Sequence, residues 1–274
     1  MKDKTNIKTQ YFSFSQINTF YNCPERYKLL YINRIKKKHE GIEAFMGKIV
    51  HEVLEWIYKY KEGYIIWDNI EDKYKELWSH NWHNYIFYSN IKKYNKNQKG
   101  YFKLLGLECL RNYYNIHGPV FNMENVRGAE IEINFKINEY TFKGIIDRID
   151  ENEDSIEIHD YKTGKPQKIA SLKNNFQPYI YHLAIESINS DKNISIHWHY
   201  LKKKNNQCIS ISISKEDKEK IIKQLLSQIT KIEHAKKENS FIPKESYLCN
   251  WCYLWDECSA KSMYNKKNPS INVK

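Results

Sequence analysis

The sequence predicts an α/β protein with a mixed central sheet and helices around it. Three observations carry the prediction. Two strands joined by a polar turn span about Tyr140 to Tyr161, and a well-alternating strand, Val126 to Ile137, comes just before them. Beyond them, helical patterns at about Asn175–Glu186 and Ser214–Asn239 bracket two more period-two strands. The length of 274 residues suits one large domain, residues 1–274, or one domain with an insertion.

In chain order, Met1 to Gln10 is polar and reads as a loosely held arm. Ser15 is the expected N-cap of a helix with Ile17, Phe20 and Tyr21 at helical spacing. Pro24 should break or restart that helix at Cys23. Lys36 to His39 is a basic run, read as a solvated loop. A strong helix follows through Gly47 and Tyr58, on which Gly47 and His51, four apart, share a face. From there to Met123 the chain is helical, rich in Trp and Tyr, and without a chemical motif. We assign residues 52–125 as a helical insertion, with Tyr94 to Gly100 as a loop and Cys109 in its core.

Ile131, Ile133, Phe135 and Ile137 give the strand before the hairpin its alternation. In the hairpin, Glu151 to Asp154 is turn chemistry. A loop at Gly164 to Pro166 leads to a helix with Pro178 in its first turn, where Gln177 and Tyr181 face one way. Ile194 to Leu201 and Gln207 to Ile213 are strands joined by a tip at 202–206, with Cys208 packed against the sheet. Ser214 and Asp217 resemble a capping box. The helix they open docks through Ile221, Ile222, Leu225, Leu226, Ile229 and Ile232.

Lys and Arg number 44 against 33 Asp and Glu, a net charge of +11, which favours a polyanionic partner, nucleic acid before membrane. The 22 Tyr and 7 Trp could stack unpaired bases, although most belong to packing. The N-terminus lacks an apolar leader and no stretch is long enough to span a bilayer, so we expect a cytosolic protein with no membrane partner. In that compartment six cysteines are thiols or metal ligands before they are disulfides.

Two groups of residues carry chemistry. On the second hairpin strand, Asp160 and Lys162 point one way and Tyr161 the other, and the hairpin can bring Asp147 across from Asp160. Asp147 lies in an apolar run, where an unpaired carboxylate is costly and a metal is one partner for it. Such hard oxygen ligands suit Mg²⁺ or Mn²⁺, and a lysine beside the metal can orient a water or stabilise developing charge. The second group is Cys249-x₂-Cys252-x₅-Cys258, three cysteines that signal a metal site and need a fourth ligand: Cys23, Cys109, Cys208 or a histidine such as His234. Zinc and a [4Fe–4S] cluster both fit, and a single C-x₂-C pair with a solitary third cysteine favours iron–sulfur.

Gly47-x₃-His51, Gly144-Ile-Ile-Asp147, Asp160-Tyr-Lys162 and Gln177-x₃-Tyr181 resemble, in order and form, the RecB-like branch of the PD-(D/E)xK nucleases. Phe12 to Pro24 resembles the start of that family. The late cysteines resemble the iron–sulfur staple of the AddB nuclease domain and of CRISPR adaptation nucleases. The resemblance covers nearly the whole chain. It implies a restriction-endonuclease-like fold, with the cysteine staple (residues 240–262) packing against residues 12–32. It implies that His51, Asp147, Asp160 and the backbone carbonyl of Tyr161 hold the catalytic Mg²⁺ or Mn²⁺, and that Lys162 positions water. Gln177 and Tyr181 would hold DNA, and Cys23, Cys249, Cys252 and Cys258 would hold a [4Fe–4S] cluster. The implied activity is DNA exonuclease on single strands or ends, leaning 5′→3′, with a helicase or recombination partner, although no helicase phosphate loop is present. The rivals are a structure-specific endonuclease and a non-catalytic DNA-binding subunit with a structural zinc or iron–sulfur site.

Overall fold

The computed structural model describes residues 11–36, 38–59, 63–88, 97–172, 174–188, 191–205 and 208–260. The expected N-terminal arm lies outside them, as do residues 94–96 of the expected loop at 94–100. The chain begins with strand β1 (Tyr11–Phe12), helix α1 (Phe14–Asn22) and the short helix α2 (Pro24–Tyr27), which a turn of π-helix extends to Ile32. The N-cap of α1 is Ser13, not Ser15: the Ser13 hydroxyl accepts from the Gln16 N–H, and Ser15 already lies inside the helix. Pro24 does restart the helix, so Cys23 sits extended at the junction.

Strand β2 (Glu40–Gly41) leads into helix α3 (Ile42–Lys59), followed by α4 (Trp67–Asn81), β3 (Ile86–Phe87) and α5 (Gln98–His117). Gln98 to Gly100, expected to be loop, form the first turn of α5, because the Asn97 side chain caps it by accepting from Gly100 N–H. β2 and β3 pair in parallel as a separate two-stranded sheet.

The main sheet follows: β4 (Val126–Ile137), β5 (Tyr140–Glu151), β6 (Ser155–Lys162), the short helix α6 (Ile169–Leu172), helix α7 (Phe176–Glu186), β7 (Asn193–Tyr200), β8 (Cys208–Ser212) and helix α8 (Lys215–Lys237). It is mixed, as expected: β4–β5, β5–β6 and β7–β8 are antiparallel, while β6–β7 and β1–β5 are parallel. Cys208 is exposed on edge strand β8 rather than packed, because its side chain turns toward His197 at the sheet surface.

Two apolar layers enclose the sheet. One joins Ile156, Ile158, Ile196 and Trp198 to α1, α7 and the Ile221, Leu225, Ile229 and Ile232 stripe of α8. The other joins Tyr161, Ala129 and Leu201 to α3, α4 and α5, and here Cys109 is fully buried. Each buried aliphatic side chain contributes roughly 1.5–3 kcal/mol. Among the described residues no helix is long and apolar enough to cross a membrane.

Candidate active site

The site forms where the sheet splits. One edge of β5 pairs with β6 only from Arg148 to Glu151 and with β1 only at Thr141 and Phe142. Beyond the Arg148↔His159 pair the two strands part, and the carboxylate of Asp147 occupies the gap. Its Oδ2 accepts the Tyr161 N–H at 2.7 Å, replacing the backbone acceptor that strand pairing would have supplied. Asp147 and Asp160 thus flank the split. Strand alternation sends Asp160 and Lys162 to the site and the Tyr161 ring to the opposite layer, where its hydroxyl meets Tyr113 and Arg148.

Helix α3 supplies His51, whose Nδ1 lies 3.5 Å from Asp147 Oδ1. One turn earlier, Gly47 allows the helix to approach the end of β6, since a Cβ there would meet Thr163 Oγ1 at 2.9 Å. Helix α7, capped by Asn175, supplies Gln177 and Tyr181. The Gln177 amide acts as a hub: its Nε2 donates to Asp160 Oδ1 at 3.0 Å and to Tyr181 Oη at 2.8 Å, while its Oε1 accepts from Lys162 Nζ at 3.1 Å. Lys162 Nζ lies 2.5 Å from Asp160 Oδ2.

Electrostatics separate the two carboxylates. Asp160 is almost wholly buried, and burial pushes its carboxyl up to about 6, with Lys162 pulling the other way. Burial would also raise Asp147, but the His51 imidazole beside it outweighs that and holds it below the usual range. His51 is the reciprocal case: burial would lower it, yet Asp147 pushes it up to about 8. An acid, a base and a cation are therefore held in different protonation tendencies within one site.

One acid escaped the sequence reading. His51, Glu130 and Asp147 have ligand atoms all within 4.8 Å of one another, whereas Asp160 is engaged by Lys162 and Gln177. The pairs Ala129↔Arg148 and Ile131↔Ile146 place Glu130 on β4 across from Asp147. Burial and the nearby Asp147 raise its carboxyl pKa. The signal was available: counting back along the hairpin from the Ile137↔Tyr140 pair reaches Glu130 opposite Asp147.

Beside Lys162 and Gln177 opens a groove of about 950 Å³. Asn18 and Tyr21 of α1 line it, as do Lys223, Gln224, Gln228 and Lys231 of α8, and no acidic residue does. Among the described residues none of 52–125 lines this groove, and its walls come from α1, α6, α7 and α8.

The chain matches the model of the PD-(D/E)XK nuclease superfamily over residues 11–259. It belongs to that superfamily. Among solved structures it is similar to a candidate exonuclease from Eubacterium rectale, at 12% identity, with 99% of this chain and 96% of that one covered and a TM-score of 0.52. The protein SSO0001 matches at 15% identity over 90% of this chain and 95% of that one, with a TM-score of 0.30. No curated protein matches the chain. The mixed sheet with flanking helices is consistent with the restriction-endonuclease-like fold of a PD-(D/E)XK nuclease.

The cysteines gather elsewhere in this PD-(D/E)XK chain. Cys23, Cys249, Cys252 and Cys258 line one cavity of about 50 Å³ between the α1–α2 junction and the C-terminal segment. Cys23 Sγ accepts from Lys244 N–H and Cys249 Sγ from Ser246 N–H, both at 3.5 Å. Burial raises the Cys252 and Cys258 thiols, and the sulfurs of Cys23 and Cys249 raise them further. Of the other candidates for fourth ligand, Cys109 lies in the α3–α5 core, Cys208 on β8 and His234 on α8. The groups of side chains compact enough for a single ion are built from His, Asp and Glu among the described residues, not from these cysteines.

Proposed function

We propose that this protein is a metal-dependent DNA exonuclease that hydrolyses phosphodiester bonds in single strands or at DNA ends. One observation carries the reading: His51, Glu130, Asp147, Asp160 and Lys162 converge at the split of the sheet, at the mouth of a groove without acids. Mg²⁺ or Mn²⁺ fits this donor set of hard oxygens and one imidazole, held by His51, Asp147 and Asp160 with the Tyr161 carbonyl, and Glu130 adds a further carboxylate. When bound, the ion polarises the phosphate and lowers the pKa of an attacking water. Lys162 orients that water and balances charge developing on the phosphate oxygens. Gln177 holds both Lys162 and Asp160 in place, and Tyr181 anchors Gln177. Lys223, Lys231 and the exposed ring of Tyr21 give the groove cations for phosphates and a face for a base.

We assign the protein to the iron–sulfur branch of the superfamily, with Cys23, Cys249, Cys252 and Cys258 as ligands of a [4Fe–4S] cluster. All four cysteines line one cavity, and four cysteines are the ligand set of such a cluster. Its contribution is to tie residues 12–32 to 240–262 in a single domain, with 52–125 as a helical insertion. A helicase or recombination protein in the cytosol is the partner this arrangement suits.

The deciding experiment is cleavage of 5′- and 3′-labelled single-stranded DNA with Mg²⁺, Mn²⁺ or EDTA, alongside closed circular DNA and Lys162→Ala. Metal-dependent shortening from the 5′ end, with circles intact and the variant inactive, is expected. Cut circles would indicate an endonuclease. Tight binding without cleavage of any substrate would leave a DNA-binding subunit.

A further inference from the structure

The back of the catalytic hairpin carries a second, unrelated group of donors. Alternation on β5 and β6 turns Asp150, Glu157 and His159 away from Asp147 and Asp160, toward the α3–α5 side. The Asp150↔Glu157 and Arg148↔His159 pairings bring them together across the two strands. His159 Nε2 lies 3.2 Å from Asp150 Oδ2 and 3.7 Å from Glu157 Oε2, and the three ligand atoms all fall within 4.8 Å of one another.

We propose that Asp150, Glu157 and His159 form a binding site for Zn²⁺ or a similar late first-row divalent ion, separate from the nuclease centre. The spacing is that of a coordination shell. Nitrogen and oxygen donors about 2.0–2.1 Å from a tetrahedral ion sit roughly 3.3 Å apart, which brackets well with the two distances from His159. His159 is 5% exposed, and its Nε2 faces the Asp150 carboxylate at 3.2 Å, where a metal ion would take the place of the proton the two share. Its other nitrogen is already engaged: Nδ1 meets His199 Nε2 at 2.9 Å. That is the support a metal-bound imidazole receives from its outer partner, fixing the ring so that Nε2 faces the carboxylates. Arg148, 2.9 Å from Asp150 Oδ1, orients the aspartate in the same way.

His197 on β7 stands ready as a fourth donor. Its ring stacks on His159 with centroids 5.1 Å apart, and its Nε2 lies 3.6 Å from Glu157 Oε2. In the present geometry that nitrogen meets the Ser195 hydroxyl at 2.9 Å, so the fourth position is open to water or to His197. One imidazole with two carboxylates suits a late first-row ion; the His51, Glu130 and Asp147 group has the same donor types, and what separates the two sites is the face of the sheet they occupy. The inference does not depend on the nuclease reading.

The test counts metal. Full-length wild type, Glu157→Gln and His159→Gln are equilibrated with Zn²⁺, stripped of loose ion by gel filtration and assayed for zinc, with free thiols counted in parallel to fix any cysteine-bound share. We expect both variants to retain one equivalent less than wild type at equal thiol count. The Co²⁺ form of each variant should lose part of the visible ligand-field intensity of the wild type while thiolate charge-transfer absorption is unchanged. Equal zinc in wild type and Glu157→Gln, or a cobalt spectrum with thiolate bands alone, overturns the site. If His159→Gln does not fold, Glu157→Gln decides, since that side chain is 44% exposed.

Discussion

Replacing Lys162 by Met tests the electrostatic logic of the site without emptying it. The Met side chain fills similar volume and keeps contact with the Trp198 ring, which Lys162 Nζ faces at 5.4 Å. What is removed is the cation 2.5 Å from the Asp160 carboxylate. With that cation present, burial already pushes Asp160 up to about 6, so without it the carboxyl rises further. A tenfold change in acidity is worth about 1.4 kcal/mol. Stranding a buried charge costs roughly 3–5 kcal/mol. Here Lys162 is partly exposed and the Gln177 bond to Asp160 survives, so about 1–3 kcal/mol is the expected loss, after discounting for solvent screening. The sign follows from the raised value: the folded state prefers protonated Asp160, so its cost is absent near pH 4 and grows as pH rises through about 6. Urea melts in EDTA should therefore show wild type and variant nearly equal at pH 4.5 and separated by about 1–3 kcal/mol at pH 8. Cleavage should be lost at every pH. A stability difference that does not change with pH would refute the coupling between Lys162 and Asp160.

Three other outcomes are expected. His51 is pushed up to about 8 by Asp147, and a metal needs its lone pair, so Mg²⁺ or Mn²⁺ binding should release a proton and tighten with rising pH until about 8. Calorimetry in two buffers of different ionisation enthalpy checks the proton count. Glu130→Gln should weaken metal binding by roughly tenfold to a hundredfold with little effect on folding, and unchanged affinity in a Mn²⁺ titration would remove Glu130 from the ligand set. Cys252→Ser should abolish brown colour and bound iron and lower the urea midpoint, since a cross-link closing a loop of over a hundred residues is worth about 4–5 kcal/mol; a colourless wild type with one zinc per chain would refute the cluster.

The elements legible in the sequence were those with a strong period and local punctuation. β4, β5, β6 and α8 alternate or repeat clearly, and Pro24 marks the break between α1 and α2 by side-chain chemistry alone. The errors arose where a neighbouring residue competed for the same local role. Ser13 and Ser15 are both able caps, and only the position of Phe12 in β1 against β5 decides between them. Cys208 belongs to a strand in sequence, but its exposure depends on β8 being an edge, which no local pattern encodes. Glu130 needed register rather than composition.

The same alternation explains why the tyrosine-rich helical layer belongs with the site although the chain beyond α3 holds no motif. Arg148 follows Asp147 directly and so points into that layer, where its guanidinium lies 4.0 Å over the Tyr58 ring and donates to the Tyr113 and Tyr161 hydroxyls at 2.9 and 3.0 Å. A cation this buried is tolerated only with its partners in place: besides Asp150 on its own strand, they come from α3, α5 and β6. A slip of β5 against β6 by one residue would turn Asp147 into the apolar layer, away from Asp160, and pull Arg148 from these three tyrosines at once. The front of the hairpin is thus held in register from behind. The helices at 42–59 and 98–117 contribute to the geometry of the carboxylates through a network in which α5 supplies no residue of the candidate site.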